Sequence, residues 1–181
     1  MFPKAHAAAY SISTLRVAWF KVHYPEEYYC AFFTIRGDEF DAATMCLDKN
    51  VLTERRKFLG EEMHRKDDPK TKSEFYLCEI VEEMFARGIE FAPIDINESD
   101  SVKFVKIDKG LIRPPLDVID KISASMAQKI VDARDEAPFA NRDDLLTRSG
   151  IGKSALEVLA NYGLLDGMPE SSQVTLFDLL G

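Results

Sequence analysis

Two glycines bracket a single apolar residue at Gly150-Ile151-Gly152, and the segments on either side, Arg142 to Thr147 and Ala155 to Tyr162, carry helical spacing. This arrangement constrains the chain more than any other feature. Glycine on each side of Ile151 lets the backbone reverse within three residues, so the flanking helices must lie against each other. Ile151 is then expected to point inward and pin the turn to a core. The amides of the turn, and the first N–H groups of the next helix, are left pointing outward at the positive end of that helix. Such a corner can hold a phosphate without reading a base. Lys153 would add a charge beside it and Ser154 a hydroxyl. Taken alone, a Gly-x-Gly between helices is an ordinary turn.

The frame is repeated, which raises it above an ordinary turn. Across 116–165 the chain reads helix, tight turn, helix, twice over. In the first copy, Val118-Ile119-Asp120-Lys121-Ile122-Ser123-Ala124-Ser125 precedes a helix expected over Met126 to Arg134. The apolar centre is kept as Ile122, but Lys121 and Ser123 stand where the second copy has glycines. Hydrogen bonds from Lys121, Ser123 and Ser125 are therefore expected in place of a glycine-lined grip, and the residues leave open whether this first turn holds phosphate. The two copies together resemble the helix-hairpin-helix module, which binds the backbone of duplex DNA. That resemblance implies DNA contacts at Lys121, Ile122, Ser123 and Ser125, and at Gly150, Ile151, Gly152, Lys153 and Ser154. Gly152-Lys153-Ser154 also ends like a nucleotide-binding P-loop. Thr147 occupies the place of that loop's first glycine, and no strand precedes it, so the P-loop reading is rejected.

Charge argues against a protein that holds DNA by its overall field. The 181 residues carry a formal net charge of −8, whereas such proteins are usually basic. From Arg113 to Asp166 there are seven basic and nine acidic residues, so this piece alone should bind DNA weakly and through local, shaped features. Cys30, Cys46 and Cys78 are scattered and odd in number, which argues against a disulfide framework and a zinc site; each reads as a small buried residue. No apolar run approaches the ~20 residues of a membrane span, and the opening residues lack a signal peptide's apolar centre. A cytoplasmic location and no membrane partner are expected.

The remaining segments read mainly as helix. Residues 5 to 23 form one helix by the recurrence of Leu15, Ala18, Trp19 and Val22, and Pro25 starts a second, aromatic-rich one from Glu26 to Ile35. Asp38 is expected to cap a short third helix reaching about Leu47. Two more follow, about Leu52 to Arg65 and about Thr71 to Arg87, with Gly88 as the stop. Ile89 to Ile96 reads as extended, and Val102 to Ile112 as a hairpin turning at Asp108-Lys109-Gly110. Pro114-Pro115 marks a boundary.

The N-terminal segment Phe2-Pro3-Lys4-Ala5-His6-Ala7-Ala8-Ala9-Tyr10 sets a cation, an imidazole and a phenol close together, with His6 and Tyr10 on one helix face. The residues alone favour a helix packing on a neighbour. This segment, with Arg16-Val17-Ala18-Trp19-Phe20-Lys21-Val22-His23-Tyr24-Pro25 and Tyr28-Tyr29-Cys30-Ala31-Phe32-Phe33-Thr34-Ile35-Arg36, resembles the fingers region of bacterial DNA polymerase III alpha chains, most closely the PolC type. The likeness extends over nearly the whole chain and is weakest between about 45 and 75. It implies that Phe2, Lys4, His6 and Tyr10 lie near an incoming deoxynucleoside triphosphate. In that family the metal-binding aspartates of the palm, which hold magnesium, precede this region. The resemblance therefore implies no catalytic residue, metal or cofactor in this piece, which alone should not polymerise DNA, and apolar surface exposed on residues 1–36 when the palm is missing.

Beyond Pro169-Glu170-Ser171-Ser172, Gln173-Val174-Thr175-Leu176-Phe177 resembles the peptide with which replication proteins dock on the sliding clamp. Leu176 and Phe177 would fill an apolar pocket while Gln173 bonds at its rim. The expected architecture is mainly α with a small β-hairpin: fingers helices over 1–37, a helical extension with a small β element over 38–113, a tandem helix-hairpin-helix domain over 114–167, and a flexible clamp-binding tail over 168–181. The function this implies is a C-terminal part of a PolC replicative polymerase that binds duplex, nucleotide and clamp. A free-standing helix-hairpin-helix accessory protein of repair or DNA uptake is the alternative, and a purely structural helical domain the third.

Overall fold

The computed structural model describes residues 3–37, 39–46 and 48–171. Five helices come first: α1 (Lys4–His23), α2 (Pro25–Arg36), α3 (Ala42–Met45), α4 (Lys49–Arg65) and α5 (Pro69–Ala86). Strands β1 (Glu90–Phe91), β2 (Val105–Asp108) and β3 (Leu111–Arg113) follow, then a 3-10 turn (Leu116–Val118) and helices α6 (Ala124–Glu136), α7 (Arg142–Ser149) and α8 (Lys153–Asn161). The chain is mainly helical with a small sheet and two successive helix-turn-helix units, as the sequence implies.

Several local expectations change. Asp38 lies outside the described residues, and the capping role falls to Asp41, whose carboxylate accepts the N–H groups of Ala43 and Thr44 at 3.4 and 3.1 Å. The third helix is consequently only four residues long. The hairpin of β2 and β3 is present, but β1 adds a third strand, parallel to β3 with Glu90 opposite Leu111 and Phe91 opposite Ile112. The first helix-turn-helix copy opens with the 3-10 turn, not an α-helix.

Two clusters form the core. The first gathers Tyr29, Phe33, Phe40, Leu52, Leu77, Val81, Met84 and Phe104 among others. Its centre is aromatic: Phe104 lies 5.3 Å from Phe33 and 4.9 Å from Phe40, centroid to centroid. Burying each ring stabilises by roughly 1.5–3 kcal/mol. The second cluster gathers Ile96, Leu116, Ile119, Ile122, Ile130, Leu145, Ile151, Leu159 and Leu165. Ile94 and Tyr162 pack against both, so the helical extension and the paired hairpins are joined through shared side chains. Cys30 and Cys78 are buried and Cys46 is half-buried. Burial pushes the thiols of Cys30 and Cys78 up to about 12. Among the described residues no helix is long and apolar enough to cross a membrane.

Candidate nucleic-acid interface

The two turns have the same backbone despite different residues. Gly150 closes α7 with φ of 64°, and Lys121 takes φ of 65° at the equivalent place. The next residue, Ile151 or Ile122, is buried in the second core cluster. The third is extended in both: Gly152 at φ −76°, ψ 159° and Ser123 at φ −74°, ψ 156°. Each then serves as the N-cap of the following helix. A buried isoleucine thus anchors each corner, and the corner itself faces outward: Lys121, Ser123, Ser125, Gly150, Gly152, Lys153 and Ser154 are all exposed.

This geometry leaves matched sets of donors. The N–H groups of Gly152, Lys153 and Ser154 have no acceptor among the described residues, and neither do those of Ser123, Ala124 and Ser125. In the first turn Ser123 Oγ accepts the N–H of Met126 at 3.3 Å and lies 3.0 Å from Ser125 Oγ. The second turn has no such side-chain cap. Neither α6 nor α8 carries an acidic residue in its first turn, whereas α7 carries Asp143 and Asp144 there. The positive ends of the two hairpin-launched helices are therefore uncompensated, which favours an anion at each.

Side-chain charge is distributed unevenly. Arg134 donates to the carbonyls of Ile96 and Ser99 at 3.2 and 2.7 Å, Arg142 donates to that of Leu165 at 3.3 Å, and Arg113 pairs with Glu98. Arg148 likewise turns to backbone carbonyls. The arginines of this region thus hold the fold together, and the exposed cations are Lys121, Lys129 and Lys153. Lys129, on α6, was not singled out by the motif; its place in the helix launched by the first turn was the only signal. Beside that turn a cleft of about 1000 Å3 opens against α3 and α5, with Glu39, Asp41, Glu74, Asp117 and Asp120 on its walls. Burial, with Asp100 nearby, pushes the Asp117 carboxyl up.

The other predicted residues are not all brought together. His6 and Tyr10 meet on one face of α1, their rings tilted by 52° with centroids 4.3 Å apart. Lys4, two residues before His6, is exposed on another side of the helix. Phe2 and the tail residues Gln173, Val174, Thr175, Leu176 and Phe177 lie outside the described residues. Among the described residues no group of three or more His, Cys, Asp or Glu side chains is placed to hold a metal ion.

Residues 88–174 match the sequence profile of the helix-hairpin-helix motif. Over 177 residues, 98% of this chain, the sequence is 38% identical to DNA polymerase III PolC-type of Clostridium perfringens, of which that stretch is 12%. It is homologous to a segment of the PolC-type DNA polymerase III proteins. The corresponding protein of Thermotoga petrophila is 41% identical over 177 residues, 98% of this chain and 13% of that relative. For Halalkalibacterium halodurans the identity is 42% over 180 residues, 98% and 12% of the two chains. The chain therefore spans 12–13% of the length of these PolC-type relatives.

Proposed function

We propose that the chain works as part of a PolC-type replicative polymerase, where it grips the backbone of duplex DNA, helps to seat the incoming deoxynucleoside triphosphate and tethers the enzyme to its sliding clamp. The observation that carries the duplex reading is the pair of matched turns. Each offers three unpaired N–H groups and an exposed lysine from a corner pinned by a buried isoleucine. Phosphate oxygens are the natural acceptors for such a set, and the contact carries no base sequence.

Three further parts of the proposal follow the PolC likeness. Phe2, Lys4, His6 and Tyr10 approach the triphosphate from the start of α1. Segment 1–23 has cations and no acidic side chain, a favourable setting for an anion. Gln173 to Phe177 docks on the clamp. The carboxylates and magnesium that drive nucleotidyl transfer belong to residues outside this segment, so the segment alone does not polymerise DNA. The large apolar side chains exposed around α1, with Tyr10, Leu15, Trp19, Phe20 and Val22 at half exposure or more, support a setting in which further polymerase surface lies against it. The cytoplasm is where such an enzyme would act.

The test of the duplex reading is anisotropy titration with a fluorescent duplex. Gly152→Asp puts a carboxylate among the free amides and should weaken binding by roughly 1–3 kcal/mol; affinity equal to the parent's would remove the reading. For the tail, Leu176→Ala with Phe177→Ala should abolish capture by purified clamp, and undiminished capture would refute the docking peptide.

A further inference from the structure

Arg148 sits in the last turn of α7, two residues before Gly150, and turns away from the exposed corner. Its Nη2 donates to the carbonyl of Ala137 at 2.9 Å and to that of Ala133. Nη1 donates to the carbonyl of Pro138 at 3.5 Å and to the Asp144 carboxylate at 3.3 Å. The guanidinium lies 5.2 Å from the centroid of the Phe139 ring. Asp144 in turn accepts the N–H of Ala140 at 3.0 Å. One planar fork thus satisfies carbonyls at the end of α6, where a helix has no internal donors left, and places a cation at its negative pole.

We infer that Arg148 is a positioning residue that holds the two phosphate-binding turns in register on one duplex. This rests on the duplex reading above. The first turn launches α6 and the second terminates α7, so the joint between those helices sets how the two donor sets face each other. Core packing holds α6 through Ala127, Ile130 and Ala133, and no residue of α6 beyond Ala133 is buried. Together with Arg134, which donates from the last turn of α6 to the carbonyls of Ile96 and Ser99, Arg148 secures the end that the core does not. The core holds α6 about Ile130, and the turn lies six residues away, roughly 9 Å at the helical rise, so a tilt of roughly 10° about that anchor shifts the turn by about 1.5 Å. Donor–acceptor distances in hydrogen bonds vary by only about half an ångström, so a loose joint would let one turn bind at a time.

The test uses the full chain, with paired spin labels at Asp132 and Glu157 on a Cys46→Ser background for the distances, and the unlabelled chain with a fluorescent duplex for affinity. Without DNA, the parent should give one narrow distance distribution and Arg148→Gln a broad one. Arg148→Gln should bind duplex about tenfold more weakly through loss of effective concentration. The added penalty of Gly152→Asp should shrink in that background, a coupling that general loosening of the fold would not produce. Should the glutamine variant lose its helical circular dichroism, Arg148→Lys, which keeps the charge without the fork, decides in the same assays. A narrow distribution and parental affinity for Arg148→Gln, while Gly152→Asp still weakens binding, overturns the positioning role and leaves the duplex reading standing. If Gly152→Asp alone binds as tightly as the parent, the duplex reading fails and takes the positioning role with it.

Discussion

Lys121 and Gly150 share a left-handed backbone, which separates what a residue does for the turn from what it does for a ligand. A side chain at φ near +60° is disfavoured by crowding with the next carbonyl. A Cβ built on Gly150 meets nothing within 4 Å, so a substitution there has only the backbone cost. Gly152 is different: its φ of −76° is ordinary, its Cβ position meets only Ser154 Oγ at 3.8 Å, and Ser123 already fills the same conformation in the first turn. Gly150→Ala should therefore lower stability by about 1 kcal/mol, while Gly152→Ser should be neutral or add about a few tenths of a kcal/mol as a better N-cap. Urea midpoints of the two variants measure this. Equal losses at both positions would contradict the conformations assigned to them.

At the scale of elements, a buried carboxylate joins the helical half to the sheet. Glu26, in the first turn of α2, accepts the N–H of Gly110 at 2.8 Å and lies 3.6 Å from Lys106 Nζ. Burial acts to raise its carboxyl, but the Gly110 and Glu26 amides and Lys106 together hold it below the ordinary value of 4.5. Glu83 is lowered in the same way: burial opposes, and Lys21 and Arg87 prevail. A carboxyl lowered in the folded state stabilises it fully above the unfolded value, and that contribution is lost as pH falls through the folded one. Chemical denaturation should thus show stability flat above about pH 5 and falling below pH 4.5. Glu26→Gln should flatten that acid limb, and an unchanged limb would show that Glu26 is not coupled to the turn. Helix α1 illustrates the opposite case. Its apolar spacing is that of a packed helix, yet it has no buried residue, because periodicity marks a face that needs a partner without saying where the partner is.

For the whole molecule, charge and shape have to be considered together. The chain is acidic overall, at −8, and four of the seven basic residues between 113 and 166 are arginines engaged with carbonyls or carboxylates. Lys121, Lys129 and Lys153 remain exposed, and under the proposed duplex reading they are the cations that meet phosphates. Each neutralised phosphate contributes close to one unit to the salt dependence, so log K against log salt should fall with a slope of about −3 for this chain. Anisotropy titrations across salt concentrations give that slope directly. A value of −6 or steeper would mean that cations elsewhere on the molecule reach the duplex.

The longer helices, the two corners and their buried isoleucines were legible in the sequence, because they depend on short-range causes: apolar period, capping side chains and the steric freedom of glycine. The nine hairpin residues named as DNA contacts form two compact corners because each set lies within five consecutive residues. Other features needed the tertiary structure. The left-handed backbone of Lys121 is imposed by the anchored Ile122 and the helix that follows. The pairing of β1 with β3 joins segments some twenty residues apart. The destinations of Arg134 and Arg148 are carbonyls 35 to 38 and 10 to 15 residues away. A guanidinium in a string of residues could face solvent, phosphate or a helix end; which it does is decided by whichever unsatisfied acceptor the fold brings within reach.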